Sequence, residues 1–380
     1  MSPRDRLSSC WQHIQASLLP WLNDEVGRLT ERHEQLVRVL EVARIERFVP
    51  YVHGLPGRPL EERAALARAL VAKAIFNLAT TRLLIEYLGA DKTLRRLCGW
   101  ERARAIPSEA TFSRAFAEFA ASALPSRVHE AIIADCRKDC LVGHISRDGT
   151  AIEAREKPVR IAASAPASPK RKRGRPRKGE PPVVKEPRRI ERQLGMSLSA
   201  MLADLPRHCA VGVKRNAKGH QETWIGYKLH LDVADGGTPI SCLLTAASVH
   251  DSQVAIPLAT MTAARVTNLY DLMDSAYDVP EIHSYSRSLG HVPLIDINPR
   301  RDASLKREIE AEAKRQRCVG HRPAEQLRYN ERSTAERANA RIKDDLGGRT
   351  VRVRGHDKVI CHLMFGIVVL TVEQLMRMVV

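Results

Sequence analysis

The segment YNERSTAERANARIKDDLGG sets Tyr329, Arg332, Glu336 and Lys343 at successive steps of three, four and seven residues. On a helix these steps keep all four side chains near one face, because three, seven and fourteen residues are close to whole numbers of turns. The stripe joins a carboxylate to a phenol and two cations. By its spacing alone it also describes an ordinary solvated helix surface. A second concentration of chemistry lies between Arg155 and Arg192, where fourteen Lys and Arg face four Glu, a net +10 of the chain's +17. Each phosphate neutralised by such a cation releases condensed counterions, so a polyanion is the partner this charge suits, nucleic acid first. A high Arg content can equally reflect genomic composition, and charge alone does not separate the two.

The middle of the basic segment, ASAPASPKRKRGRPRKGEPP, holds Pro, Ser and Gly with almost no bulky apolar residue. It buries too little surface to offset its ordering entropy, which predicts a disordered basic insertion over about 157–200. Within it Arg173-Gly174-Arg175-Pro176 resembles the AT-hook, whose arginines lie in a narrow minor groove. Lys170, Arg171, Lys172, Arg177 and Lys178 flank it as further phosphate contacts, with no base-specific reading expected.

The elements that must carry these residues change character along the chain. Residues 1–140 repeat apolar positions at threes and fours, as in ARALVAKAIFNLATTRLLIEYLG, and predict an all-helical region. There PSEATFSRAFAEFA starts a helix with hydroxyls at Ser108 and Thr111 for capping. Two readings stay open for it, a DNA-reading helix-turn-helix or a plain bundle packed on the rest of the chain. From residue 141 short β-type runs appear (VGHISRD, WIGYKLHLDVA, PISCLLTAAS, TNLYDLMD, HVPLIDIN), with helical segments at 251–264, 279–289, 301–317 and 325–346. Three strands followed by alternating helices and strands indicate an α/β mixed sheet with helical cover. VICHLMFGIVVLTV, from Val359 to Val372, contains a histidine, is short for a bilayer span, and reads as a buried core helix. Eight scattered cysteines without a CxxC pair, and no signal peptide, predict a reduced, cytoplasmic protein without a membrane partner.

The spacing of Tyr329, Arg332, Glu336 and Lys343 matches the YREK signature, and through it the chain resembles bacterial insertion-sequence DDE transposases of the group that carries it. HISRDGTAIEAREKP at 144–158 is similar to that family's first-aspartate strand. WIGYKLHLDV and TAASVHDSQVAIPL, within 224–258, are similar to its central strands, and LYDLMDSAYDVPEI at 269–282 to its second-aspartate strand. The resemblance implies a ribonuclease H-like catalytic domain over 141–380 whose catalytic and metal-holding carboxylates are Asp148, Asp274 and Glu336. It implies Mg²⁺, with Mn²⁺ substituting, since in-line phosphodiester chemistry uses two divalent ions held by hard oxygen ligands. Tyr329, Arg332 and Lys343 are then phosphate contacts, with Arg332 suited to a bidentate one. The implied activity is cleavage at terminal inverted repeats and strand transfer into target DNA by a homodimer. The rival readings are a non-catalytic regulator derived from a transposase and a nuclease without strand transfer. Asp251 and Asp278 are expected to cap helices, and His230 and His250 to pack or to neighbour a metal rather than act as bases.

Overall fold

The computed structural model describes residues 3–50, 62–138, 140–159, 186–215, 219–300, 302–320 and 323–379. Lys170, Arg171, Lys172, Arg173, Arg175, Arg177 and Lys178 lie outside these residues. The N-terminal region is helical throughout its described part. α1 (Pro3–His13) runs through a π-helical turn into α2 (Leu19–Val26), followed by α3 (Glu31–Ala43), α4 (Arg63–Ile75), α5 (Thr81–Ala90), α6 (Lys92–Cys98), α7 (Glu109–Ala121) and α8 (Leu124–Arg137). Side chains start several of them. Thr80 Oγ1 accepts the Leu83 amide at the head of α5, and Asp91 Oδ1 accepts the Leu94 amide at the head of α6. Ser108 behaves differently from expectation: its hydroxyl meets Thr111 Oγ1 at 3.2 Å and caps no backbone amide. The apolar face of α7, Phe112, Ala115, Phe119 and Ala120, is buried in a core shared with the C-terminal region, the arrangement of a packed bundle.

Beyond it the strands are β1 (Leu141–Glu153), β2 (Ala210–Arg215), β3 (Gln221–Ala234), β4 (Pro239–Ala246), β5 (Thr267–Met273) and β6 (Val292–Ile295). They form one mixed sheet in the order β2-β3-β1-β5-β6, with β4 also on β3. β1 is antiparallel to β3 and parallel to β5, and β5 is parallel to β6. The short edge strand β2 had not been expected. It pairs with the first half of β3, and the pairing changes hands at Gly226, which sits opposite both Ala210 and Glu153. Gly226 has φ +150, and a Cβ there would lie 2.2 Å from the Ile152 carbonyl oxygen, so only glycine lets the strands pass.

The helices of this half are α9 (Arg189–Gln193), α10 (Leu198–Asp204), α11 (Ser252–Ala263), α12 (Pro280–Ser288), α13 (Ala303–Val319), α14 (Ala324–Tyr329), α15 (Ser333–Asp344) and α16 (His356–Arg377). α9 and the start of α10 fall inside the stretch expected to be disordered. Ile190 and Met201 bury against α11 and α12, so ordered chain resumes well before residue 200. Period-two alternation on β3 divides the interior. Tyr227, Leu229, Leu231 and Val233 face α15, α16 and the N-terminal helices, whereas His230 and Asp232 face α11. α16 is long and apolar enough to cross a membrane by length and composition, but 83% of its apolar window is buried in this core, as a helix apolar on all sides requires.

Candidate active site

Asp148 owes its place to the register of β1. The β1–β5 ladder ends at the pair Ser146 and Leu272, two residues short of both Asp148 and Asp274. The two acids therefore come level just where the parallel strands part. Ser146, Asp148 and Thr150 lie on one face of β1 by alternation, and the chain from Asn330 to Lys343 covers that face. Ser146 Oγ donates to the Glu331 carbonyl at 3.2 Å, Asn339 Nδ2 donates to Asp148 Oδ2 at 2.9 Å, and Lys343 Nζ donates to Thr150 Oγ1 at 3.1 Å. Asp274 follows β5 and accepts the Ala276 amide at 2.9 Å, starting a 3-10 turn.

Burial and the neighbouring charge of Asp274 raise the Asp148 carboxyl to about 6. Burial also raises Asp274, as do Asp251 and Asp296, while Arg332 opposes the rise. The folded state thus holds a proton on Asp148 that the unfolded chain has released. The stability this adds is complete near pH 4 and is lost as pH rises through about 6. In metal-free buffer Asp148→Asn is expected to match the unsubstituted protein near pH 4 and to be more stable near pH 8, by about 3 kcal/mol. Melting curves across that range check it; a gap that does not widen with pH would refute the coupling.

The stripe of four residues is only partly as expected. A 3-10 turn at Asn330–Arg332 interrupts the helix between α14 and α15, and the side chains fan out across the sheet. Tyr329 Oη donates to Asp296 Oδ2 at 2.6 Å at the β6 edge, which with burial raises the phenol. Arg332 lies over the Tyr329 ring at 5.8 Å and pairs through Nη2 with Glu336 Oε1 at 2.7 Å. Lys343 reaches Thr150, two residues beyond Asp148 on β1, where burial and the nearby Arg349 and Lys214 lower it. Asp148 and Asp274 are brought together. Glu336 lies on the covering helix but is half exposed and turned to Arg332, and among the described residues no three His, Cys, Asp or Glu side chains gather to hold a metal ion.

Three neighbours were not foreseen. Asn339, one turn beyond Glu336 and 4% exposed, supplies the amide that fixes Asp148. Asp296 receives Tyr329. Asp251 makes no side-chain cap for α11, as had been expected of it; its Oδ1 lies 3.1 Å from Lys228 Nζ and 3.5 Å from the buried His230 Nδ1. A Cβ on Gly149 would come within 2.7 Å of that oxygen, so glycine beside Asp148 is what admits it. Asp278 likewise caps no helix. It accepts the Asn298 amide at 2.8 Å and meets His283 Nε2 at 3.0 Å. His230 is fully buried against Thr245, in keeping with a packing role, and His250 bonds Ser252.

The donor set suits a hard divalent cation. Asp148 and Asp274 bring two carboxylates near enough for the charge of Asp274 to raise Asp148, and burial makes each resist ionisation. Glu336 can join them only by exchanging Arg332 for the cation.

Residues 187–372 match the family described as Transposase DDE domain, and residues 22–118 match the one described as Transposase domain (DUF772). The first match contains Asp274 and Glu336 and begins beyond both Asp148 and the Lys170–Lys178 run. No curated protein and no solved structure matches the chain.

Proposed function

We propose, from two matches that support an insertion-sequence DDE transposase, that the chain is a DNA transposase of the YREK-bearing group. In this reading a homodimer binds terminal inverted repeats, cleaves at the element ends and joins the strands to target DNA. The observation that carries it is the level placement of Asp148 and Asp274 at the parting of two parallel strands, beneath the segment bearing Arg332 and Glu336. The order β4-β3-β1-β5-β6, antiparallel on one side of β1 and parallel on the other, supports a ribonuclease H-like domain. Asp148, Asp274 and Glu336 would hold a pair of Mg²⁺ or Mn²⁺ ions, whose charge when bound activates the attacking oxygen and offsets charge on the leaving one. Asn339 holds the Asp148 carboxylate in one orientation. Arg332, released from Glu336, offers two parallel donors to a phosphate, while Tyr329 and Lys343 flank it along the covering segment. The AT-hook-like run from Lys170 to Lys178 adds phosphate contacts away from the scissile bond.

Arg332→Ala is expected to lower Mg²⁺-dependent cleavage and joining on the order of a hundredfold while duplex affinity falls severalfold at most, because the lost group orients one phosphate among many contacts. Arg332→Lys is expected to rescue only in part, since a point charge lacks the planar fork. The assay is a supercoiled plasmid carrying two candidate ends, beside a binding titration at fixed salt. Equal losses of binding and cleavage would place Arg332 outside the site, and end-binding without cleavage under either metal would favour the regulator.

A further inference from the structure

Away from the carboxylates, the helical region and the C-terminal segment enclose a cavity of about 350 Å³. Lys73 of α4, Thr80 and Thr81 at the head of α5, Ser113 of α7, Arg155 just past β1 and Arg352 just ahead of α16 all line it. Three cations thus face it, and Glu109 is the only acid on its wall among the described residues. None of the three cations belongs to an ion pair among those residues, although the chain pairs many of its other arginines. Lys73 is the most telling. Lys73 is partly buried, burial lowers its ammonium to about 8, and it has no ion-pair partner among the described residues. The wall is also rich in donors. Thr80 and Thr81, at the start of α5, and Ser113 bring hydroxyl-bearing residues to it. His362 adds no charge; burial and Lys73 hold it near 4, and its Nε2 donates to the Gly347 carbonyl.

We propose that this cavity is a phosphate pocket that seats one backbone phosphate of DNA between the helical region and the C-terminal segment. DNA is favoured over a free phosphorylated solute because Arg155 is the first residue of the basic segment that runs to Arg192. Arg155 and Arg352 are both exposed where they line the cavity. The proposal rests on the DNA-acting reading above and adds to it a contact made by α4, α5 and α7.

The test uses the full chain, inorganic phosphate and a duplex oligonucleotide as probes. Lys73→Met removes an uncompensated charge and keeps the chain length, so it is expected to raise the melting temperature while weakening duplex affinity about tenfold. The slope of log affinity against log salt is expected to become shallower by about one unit. Arg155→Ala and Arg352→Ala, at exposed positions, are expected to weaken binding and flatten the slope without changing melting, and they carry the test should Lys73→Met fold poorly. Phosphate is expected to stabilise the unsubstituted protein more than chloride at equal ionic strength, and Lys73→Met is expected to abolish that difference. Unchanged salt slopes in all three variants would overturn the pocket. Stabilisation by phosphate with unchanged slopes would make it a small-solute site and overturn the DNA assignment. If the plasmid assay still shows cleavage in either case, the DNA contact at this cavity fails and the transposase reading stands; a protein that binds no duplex at all removes both.

Discussion

Asp148→Asn, Asp274→Asn and Glu336→Gln are each expected to reduce Mg²⁺-dependent cleavage of end-bearing DNA by at least about a thousandfold, ~4 kcal/mol of barrier, with duplex affinity nearly unchanged. The first two follow from the strands. Both acids lie two residues past the last pair between β1 and β5, both are partly buried, and both are pushed toward the protonated form. An amide in either place relieves that repulsion and keeps the shape, so the protein survives while the charge that holds a divalent ion is gone. Asn339 can still donate to the oxygen of an asparagine at 148. Glu336 is the more exacting case, because among the described residues its ion pair is to Arg332 at 2.7 Å. Its loss costs cleavage only if the carboxylate turns from guanidinium to metal. Asp251→Asn, measured alongside, decides the matter. Cleavage that survives Glu336→Gln and disappears in Asp251→Asn would make Asp251, already near both aspartates, the third ligand.

What the sequence made legible was periodicity, and what it hid was direction. The apolar runs of β1, β3, β4 and β5 announced themselves because each has a buried face, and β6 by its apolar sequence alone, none of its residues being fully buried. β2 did not, since AVGVKR is short, its Val211 and Val213 are exposed, and Gly212 yields its side-chain space to the Trp224 ring. Spacing put Tyr329, Arg332, Glu336 and Lys343 in one segment. It could not show that a 3-10 turn would splay them toward β6, one another and β1, nor that Asn339 would be the residue touching Asp148. Asp251 was read as a cap because it precedes a helix. Its true direction depends on Gly149 and Lys228, far away in sequence, which no local pattern records.

The largest stability effect is expected one residue before Asp148. Arg147 alternates to the opposite face of β1 and lies directly across from Asp232 of β3. Its Nε and Nη2 donate to the two carboxylate oxygens at 2.7 Å each, Thr262 of α11 donates to Asp232 at 2.7 Å, and Arg147 Nη1 reaches Met273 Sδ of β5 at 3.3 Å. Arg147 is 2% exposed and Asp232 is fully buried, so neither charge has water to fall back on. Asp232→Ala leaves a guanidinium that cannot shed its proton at any working pH. It is expected to cost about 3–5 kcal/mol and to lower the urea midpoint sharply. Arg147→Met is expected to cost less, because burial already pushes the Asp232 carboxyl up and, without the guanidinium opposing it, Asp232 can take a proton. That cost should grow with pH. An acid whose folded pKa is raised stabilises the folded state below its unfolded value and loses that contribution as pH rises through the folded one. The double substitution Arg147→Met with Asp232→Leu is expected to recover much of the loss, since neither half leaves the other charged and alone. An Asp232→Ala midpoint within the spread of ordinary surface substitutions would show that the pair does not hold β1 in register, and the placement of Asp148 would then need another anchor.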